Sequence, residues 1–187
     1  MVDKKRILVF IDWFTPGYKA GGPIQSCNNM VRLFRNQYDF FILTSDRDLG
    51  ETLSYTGIPV NTWVAVEDTG NVYYASREKL NTTLVIRLVK EVAPDIIYFN
   101  SMFSPRYTLQ PLWALRRMGF SNKVIIAPRG MLHEGAMMQK SLKKKLFLQT
   151  FRLSGWPRKL VFHATDEQEK KDILHYFPSV KSVHVIP

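Results

Sequence analysis

The chain has 187 residues, nearly half of them apolar, enough to bury one full core and too few to expect a second independent domain, so residues 1–187 are read as a single domain. With 26 Lys and Arg against 16 Asp and Glu, the net charge of +10 favours anionic partners: nucleic acid, an anionic membrane or a phosphorylated ligand. The lone cysteine, Cys27, excludes an internal disulfide and a cysteine zinc cluster and fits a reducing, cytoplasmic setting, and no run reaches the ~20 apolar residues of a membrane span.

Short apolar runs alternate with longer segments of helical period, the mark of stacked βαβ units. The first run, Ile7–Ile11, predicts a strand that ends at Asp12. The next segment contains Pro16, Gly17, Gly21, Gly22 and Pro23, and leads into a helix over Ile24–Arg35. A second strand is predicted at Phe40–Thr44. From Asp46 to Pro59 the chain is polar and glycine-bearing, and Trp63–Val66 and Val72–Tyr74, joined by Glu67-Asp68-Thr69-Gly70-Asn71, predict an antiparallel hairpin excursion. Leu80, Leu84, Leu88 and Val92 recur every fourth residue, so Arg77–Val92 is predicted to be a core-facing helix that Pro94 stops. Then follow a buried strand Ile96–Asn100, a helix Thr108–Met118, a strand Val124–Ala127, a helix Leu142–Leu153, a strand Leu160–Ala164, a helix Glu167–Tyr176 and a strand Val183–Ile186. The expected fold is α/β: Rossmann-like, doubly wound, with a mostly parallel sheet and a small β-hairpin excursion. A chain that stops on a strand reads as part of something longer.

Four segments carry candidate chemistry. Gly21 and Gly22 lie between a strand end and a helix start, where a backbone N–H can approach an anion and the helix N-terminus assists it; an ordinary βα loop is the alternative. Neither GxGxxG nor GxxxxGK[ST] occurs, which disfavours a nicotinamide enzyme and a P-loop NTPase. Ala127-Pro128-Arg129-Gly130-Met131-Leu132-His133-Glu134-Gly135 brings three polar side chains to the carboxyl end of a strand. There Arg129 can fork onto a phosphate and His133 can bond a hydroxyl, unless Arg129 and Glu134 merely pair on the surface. Lys140, Lys143, Lys144, Lys145, Arg152, Arg158 and Lys159 form a basic stretch with no acidic residue between Gly135 and Thr165. With Leu142, Leu146, Phe147, Phe151 and Leu153 it is amphipathic, suited to an anionic membrane surface or to a docked helix with a solvated lysine face. No nucleic-acid motif accompanies the lysines, so nucleic acid is not the expected partner. His163-Ala164-Thr165-Asp166-Glu167-Gln168-Glu169 reads as a strand end and a capped helix start, with His163 packed and hydrogen-bonded rather than a ligand. No group of His and carboxylates has metal-site spacing, so no metal is expected.

In their order and spacing these segments resemble the amino-terminal domain of the retaining glycosyltransferases of family 4, which have the two-domain GT-B fold. The resemblance covers nearly the whole chain and rests on Pro16 and Gly21-Gly22-Pro23, Ser26 and Asn28, Pro94-Asp95-Ile96-Ile97, Ser101, Ala127-Pro128-Arg129-Gly130-Met131-Leu132, Lys140 through Lys145, and His163-Ala164-Thr165 to Glu169. It implies one half of a GT-B fold, the acceptor side, with a donor-binding domain absent from this chain. It implies transfer of a sugar from a nucleotide-sugar donor to a sugar or lipid-linked acceptor hydroxyl, in polysaccharide or glycolipid synthesis at the inner face of a membrane. No further cofactor is implied. Gly21 and Gly22 would contact the donor diphosphate, Arg129 would give electrostatic support, and His133 and Glu134 would bind acceptor hydroxyls. Arg129-Gly130 stands where many relatives carry His-Gly; arginine accepts no proton, so the role there is electrostatic or passes to His133. The alternatives are a non-catalytic scaffold domain docking on a membrane or partner, and a self-contained protein that binds a phosphorylated small molecule.

Overall fold

The computed structural model of the chain describes residues 4–138 and 141–187. In chain order the elements are β1 (Lys5–Phe10), α1 (Gly22–Phe34), β2 (Tyr38–Ser45), β3 (Trp63–Val66), β4 (Gly70–Ala75), α2 (Thr82–Val92), β5 (Ile96–Phe99), α3 (Gln110–Met118), β6 (Lys123–Ile126), α4 (Glu134–Met138), α5 (Ser141–Leu153), β7 (Val161–Ala164), α6 (Glu167–Tyr176) and β8 (Ser182–Val185). The strands form one sheet in the order β3-β4-β2-β1-β5-β6-β7-β8, parallel except for the antiparallel edge pair β3 and β4. This is a Rossmann-like, doubly wound α/β fold.

Strand alternation explains the layers. Along β1, Leu8 and Phe10 face one core, which they share with Ile97, Phe99 and the apolar sides of α2, α3, α5 and α6. Val9 and Ile11 face the opposite core, with Cys27 and Val31 of α1. A strand covered on both sides has no room for a polar side chain until it ends, and so the chain is apolar from Ile7 through the end of β1 to Ile11.

Every predicted strand and helix is present, and the differences are local. The helix predicted from Arg77 begins at Thr82, because Asn81 Oδ1 accepts the Leu84 N–H at 2.9 Å and caps it there. The residues before it form a turn on the Ser76 carbonyl, which accepts the N–H groups of Lys79 and Leu80. The helix predicted from Thr108 begins at Gln110, after a π-helical turn over Pro105–Leu109 that Ser104 caps. The five-residue α4 was not anticipated. The hairpin is part of the main sheet: β4 pairs in parallel with β2, and β3 becomes the sheet edge.

From β1 the chain first builds outward through β2 to β4, then crosses back to lay β5 on the other side of β1. The direction of winding reverses between β1 and β5, and such a switch point opens a crevice at the carboxyl ends of the strands.

Candidate functional site

Three groups reach this crevice from different elements. After β1 the loop turns at Gly21, whose φ of 65° is a conformation glycine adopts without a Cβ penalty, and α1 starts at Gly22. Open space surrounds both glycines. Gly21 donates its N–H to the Tyr18 carbonyl at 2.9 Å, and the Gly21 carbonyl accepts from Ile24 and Gln25, whereas the Gly22 N–H makes no hydrogen bond among the described residues. In this conformation Gly22, at the positive end of α1, is the member of the pair with a backbone donor to offer an anion.

The loop is held from below by Asp48, which accepts the N–H groups of Tyr18 at 2.9 Å, Lys19 at 3.2 Å and Leu49 at 2.8 Å. Burial alone would raise its carboxyl pKa, but these donors and the nearby Lys19 charge hold it below the ordinary value.

Arg129 enters from the carboxyl end of β6. Its φ of 54° is unusual for a residue with a side chain, and the surrounding hydrogen bonds hold it there. Its Nε donates to Asn100 Oδ1 at 3.0 Å, and its Nη2 donates to the Tyr98 hydroxyl at 2.9 Å. Asn100, buried after β5, donates its Nδ2 to the Pro23 carbonyl at 3.1 Å. One amide therefore joins the first turn of α1 to the guanidinium, bringing the two cationic features of the crevice to one place.

A hydrogen-bond chain continues beneath Arg129. His163 Nε2 lies 2.8 Å from the Ile186 carbonyl, to which it donates, so Nδ1 accepts from the Tyr98 hydroxyl at 2.8 Å. Burial raises the Tyr98 pKa, keeping the phenol protonated, and burial lowers the His163 pKa, keeping the ring neutral. His163 is thus packed and hydrogen-bonded, as its strand position suggested.

The loop that carries Arg129 is clamped from α6. Glu169 is fully buried and accepts from the Gly130 N–H at 2.6 Å, the Thr165 N–H at 2.7 Å and the Thr165 hydroxyl at 2.8 Å. Asp166 caps α6 by accepting the Glu169 N–H at 2.7 Å. His133 Nδ1 bonds Asp172. An imidazole held by Nδ1–H keeps Nε2 as an acceptor for a hydroxyl. Glu134 is exposed at the start of α4 and makes no side-chain hydrogen bond among the described residues, and Arg129 does not pair with it.

Asp12, directly after β1, is a further candidate that the sequence marked only as a strand end. Its carboxylate accepts from the Ser104 hydroxyl at 2.6 Å and the Ser101 hydroxyl at 3.3 Å. Burial raises its pKa above the ordinary 3.8 in spite of those donors. A half-buried carboxyl that holds its proton more readily than usual, at a switch-point crevice, suits proton exchange with a hydroxyl. Asn100, Tyr98 and Asp172 were likewise not singled out. The signal for Asp12 and Asn100 was present, a polar residue closing an apolar strand run; none marks Asp172.

The basic segment divides. In α5 Leu148 and Phe151 are buried while Leu146 and Leu153 are exposed. Lys144 donates to the Ala136 carbonyl and lies 5.3 Å from the centre of the Phe103 ring. Lys140 lies outside the described residues, as do the side chains of Leu142, Lys143 and Lys145. Among the described residues no group of three His, Cys, Asp or Glu is arranged to hold a metal ion. No helix among them is long and apolar enough to cross a membrane. Cys27 lies on the buried face of α1, and burial pushes its thiol up to about 12, which disfavours the thiolate.

No protein-family model and no curated protein matches the chain. Among solved structures it is similar to a dTDP-glucose 4,6-dehydratase from Bacillus anthracis in complex with NAD, at 14% identity and a TM-score of 0.48 over 86% of this chain. It is also similar to the enzyme WbmH from Bordetella bronchiseptica in complex with NAD+, at 11% identity and a TM-score of 0.40 over 87% of this chain, and to the Sure protein from Aquifex aeolicus, at 17% identity and 0.33 over 76%. The chain spans 54%, 55% and 59% of those three structures' own lengths.

Proposed function

We propose that the chain is the acceptor-side half of a nucleotide-sugar-dependent glycosyltransferase that transfers a sugar to a hydroxyl with retention of configuration. The observation that carries this reading is the Asn100 amide, which joins the Pro23 carbonyl at the start of α1 to Arg129. A guanidinium and a free helix-terminal N–H at one crevice are the groups that stabilise charge on a departing diphosphate. Asp12, and His133 oriented by Asp172, are then the hydroxyl partners on the acceptor side. Glu134, exposed at the start of α4, is a further candidate on that side. In this reading most of the donor's binding energy comes from a second domain outside this chain. The exposed Leu146, Leu153 and Arg152 of α5 support contact with an anionic membrane at the acceptor side.

The test is transfer from a panel of radiolabelled nucleotide sugars to a membrane extract, with the whole reading frame that encodes the chain expressed and purified. Transfer with retention is expected, and Arg129→Ala should lower kcat by about a hundredfold, the loss typical of one charge-stabilising donor. Diphosphate binding without transfer from any donor would favour the non-catalytic binding domain instead. The 187-residue chain alone is expected to turn over no donor, and robust turnover by it would defeat the assignment of donor binding to a second domain.

A further inference from the structure

The opposite edge of the sheet carries a second feature that the crevice does not use. The loops entering β6, β7 and β8 at their amino ends, together with the last turn of α3, enclose a groove of about 560 Å³. Arg116, Arg158, Lys159 and Lys181 line it, with Trp156 and Phe120 as half-buried aromatic walls, and no carboxylate is among its lining residues. None of the four cations forms an ion pair among the described residues.

Four like charges around one concavity repel one another, and the local backbone does not neutralise them. The C-terminal end of α3, whose carbonyls would be the natural counter-charge, is already closed: Gly119 N–H bonds the Arg116 carbonyl at 3.1 Å and Phe120 N–H bonds the Leu115 carbonyl at 3.0 Å. The Trp156 carbonyl accepts from Lys159 and Leu160, and the Pro157 carbonyl accepts from Lys181. The Arg116 guanidinium is fixed by one donated bond, from Nη1 to the Ser154 carbonyl at 3.2 Å, which orients the remainder of its fork. The volume is that of a small-ligand pocket, about 300–1,000 Å³, and its concavity suits a compact solute better than a flat surface.

We infer that this groove is an anion site for a small ligand bearing two or more phosphate charges, held by Arg116, Arg158, Lys159 and Lys181 against Trp156. It is distinct from the crevice: Asp12, Asn100 and Arg129 follow the carboxyl ends of β1, β5 and β6, whereas Phe120, Trp156 and Lys181 precede the amino ends of β6, β7 and β8. The same diphosphate chemistry is found on free solutes and on lipid headgroups.

Calorimetric titration of the chain with inorganic pyrophosphate tests the site. Binding is expected that weakens with added salt, falls by about tenfold or more in Arg158→Glu/Lys181→Glu, and persists in Arg129→Ala. Both substituted residues are exposed, so the double variant should melt with the wild type; the milder Lys181→Ser, with a smaller loss, guards against misfolding. Displacement of bound pyrophosphate by phosphatidylcholine vesicles doped with a lipid diphosphate, and not by undoped vesicles, would identify a headgroup as the occupant, and its absence a free solute, and either keeps the site. No pyrophosphate binding, binding unchanged by charge reversal, or binding abolished by Arg129→Ala would overturn it.

Discussion

Gly17, rather than the glycine pair after it, is the residue whose missing side chain the loop requires. A Cβ there would lie 2.9 Å from both the Phe14 carbonyl and Asp48 Oδ1, with neither free to retreat: Asp48 is buried and bonded to three N–H groups. Gly17→Ala should destabilise the chain by about 1–3 kcal/mol, read as a lower urea midpoint with unchanged slope. At Glu169 both carboxylate oxygens accept hydrogen bonds in a buried setting. Glu169→Gln turns one of those oxygens into a donor that faces an N–H, so about 2–3 kcal/mol of stability should be lost. Hydrogen exchange should then report faster exchange at the Gly130 amide, because the clamp on the Arg129 loop is gone. Of these residues the sequence drew attention to Arg129, Gly130 and Glu169, but it supplied no reason to join them. Glu169 read as a cap for its own helix, and its burial against Gly130 depends on how α6 docks.

At the scale of elements, helix positions follow from local chemistry and helix starts follow from single caps. α2 buries Leu84, Val85, Leu88, Val89 and Val92, the stripe that the four-residue recurrence implied. Its start moved five residues inward because Asn81 outcompetes the preceding turn as a cap. Asn81→Ala should cost about 1 kcal/mol, whereas Leu88→Ala, which removes a fully buried side chain from the main core, should cost about 2–5 kcal/mol. Urea titrations of the two variants will rank them in that order if the cap sets the boundary and packing sets the stability. α3 shows the same logic. Ser104 caps a π-helical turn ahead of it, and that turn presents Ser104 and Ser101 to Asp12. Apolar periodicity predicts a helix body well, but says little about which of several polar residues upstream will cap it.

For the whole molecule, the pH response follows from burial. Burial lowers the His163 pKa below its ordinary 6.5, so the unfolded chain takes the proton more readily. The stability carried by the neutral ring is complete above 6.5 and is lost as pH falls below it toward the folded value. Asp12 acts in the opposite sense: burial raises its carboxyl above 3.8, so acidification through that window favours the fold. Unfolding free energies should therefore decline from about pH 7 to about pH 5, with a smaller slope in His163→Asn. An unchanged slope would show that the His163 chain to Tyr98 and Arg129 carries no linkage.

Positive charge also gathers at both ends of the strands, as Arg129 at the carboxyl ends and as Arg116, Arg158, Lys159 and Lys181 at the amino ends, an arrangement that the net charge of +10 announces only as a total. The alternation of apolar runs with helical periods and the turn residues by themselves determined a mostly parallel α/β sheet, because those signals act within a few residues. Tertiary structure alone decided which partners the site residues have. Asn100 meets Pro23 across 77 positions through a strand order that reverses between β1 and β5, and His133 meets Asp172 across 39 through the docking of α6 beside β6 and β7. Such partners are chosen by which strands pair and which face a helix covers, and no local pattern records that choice.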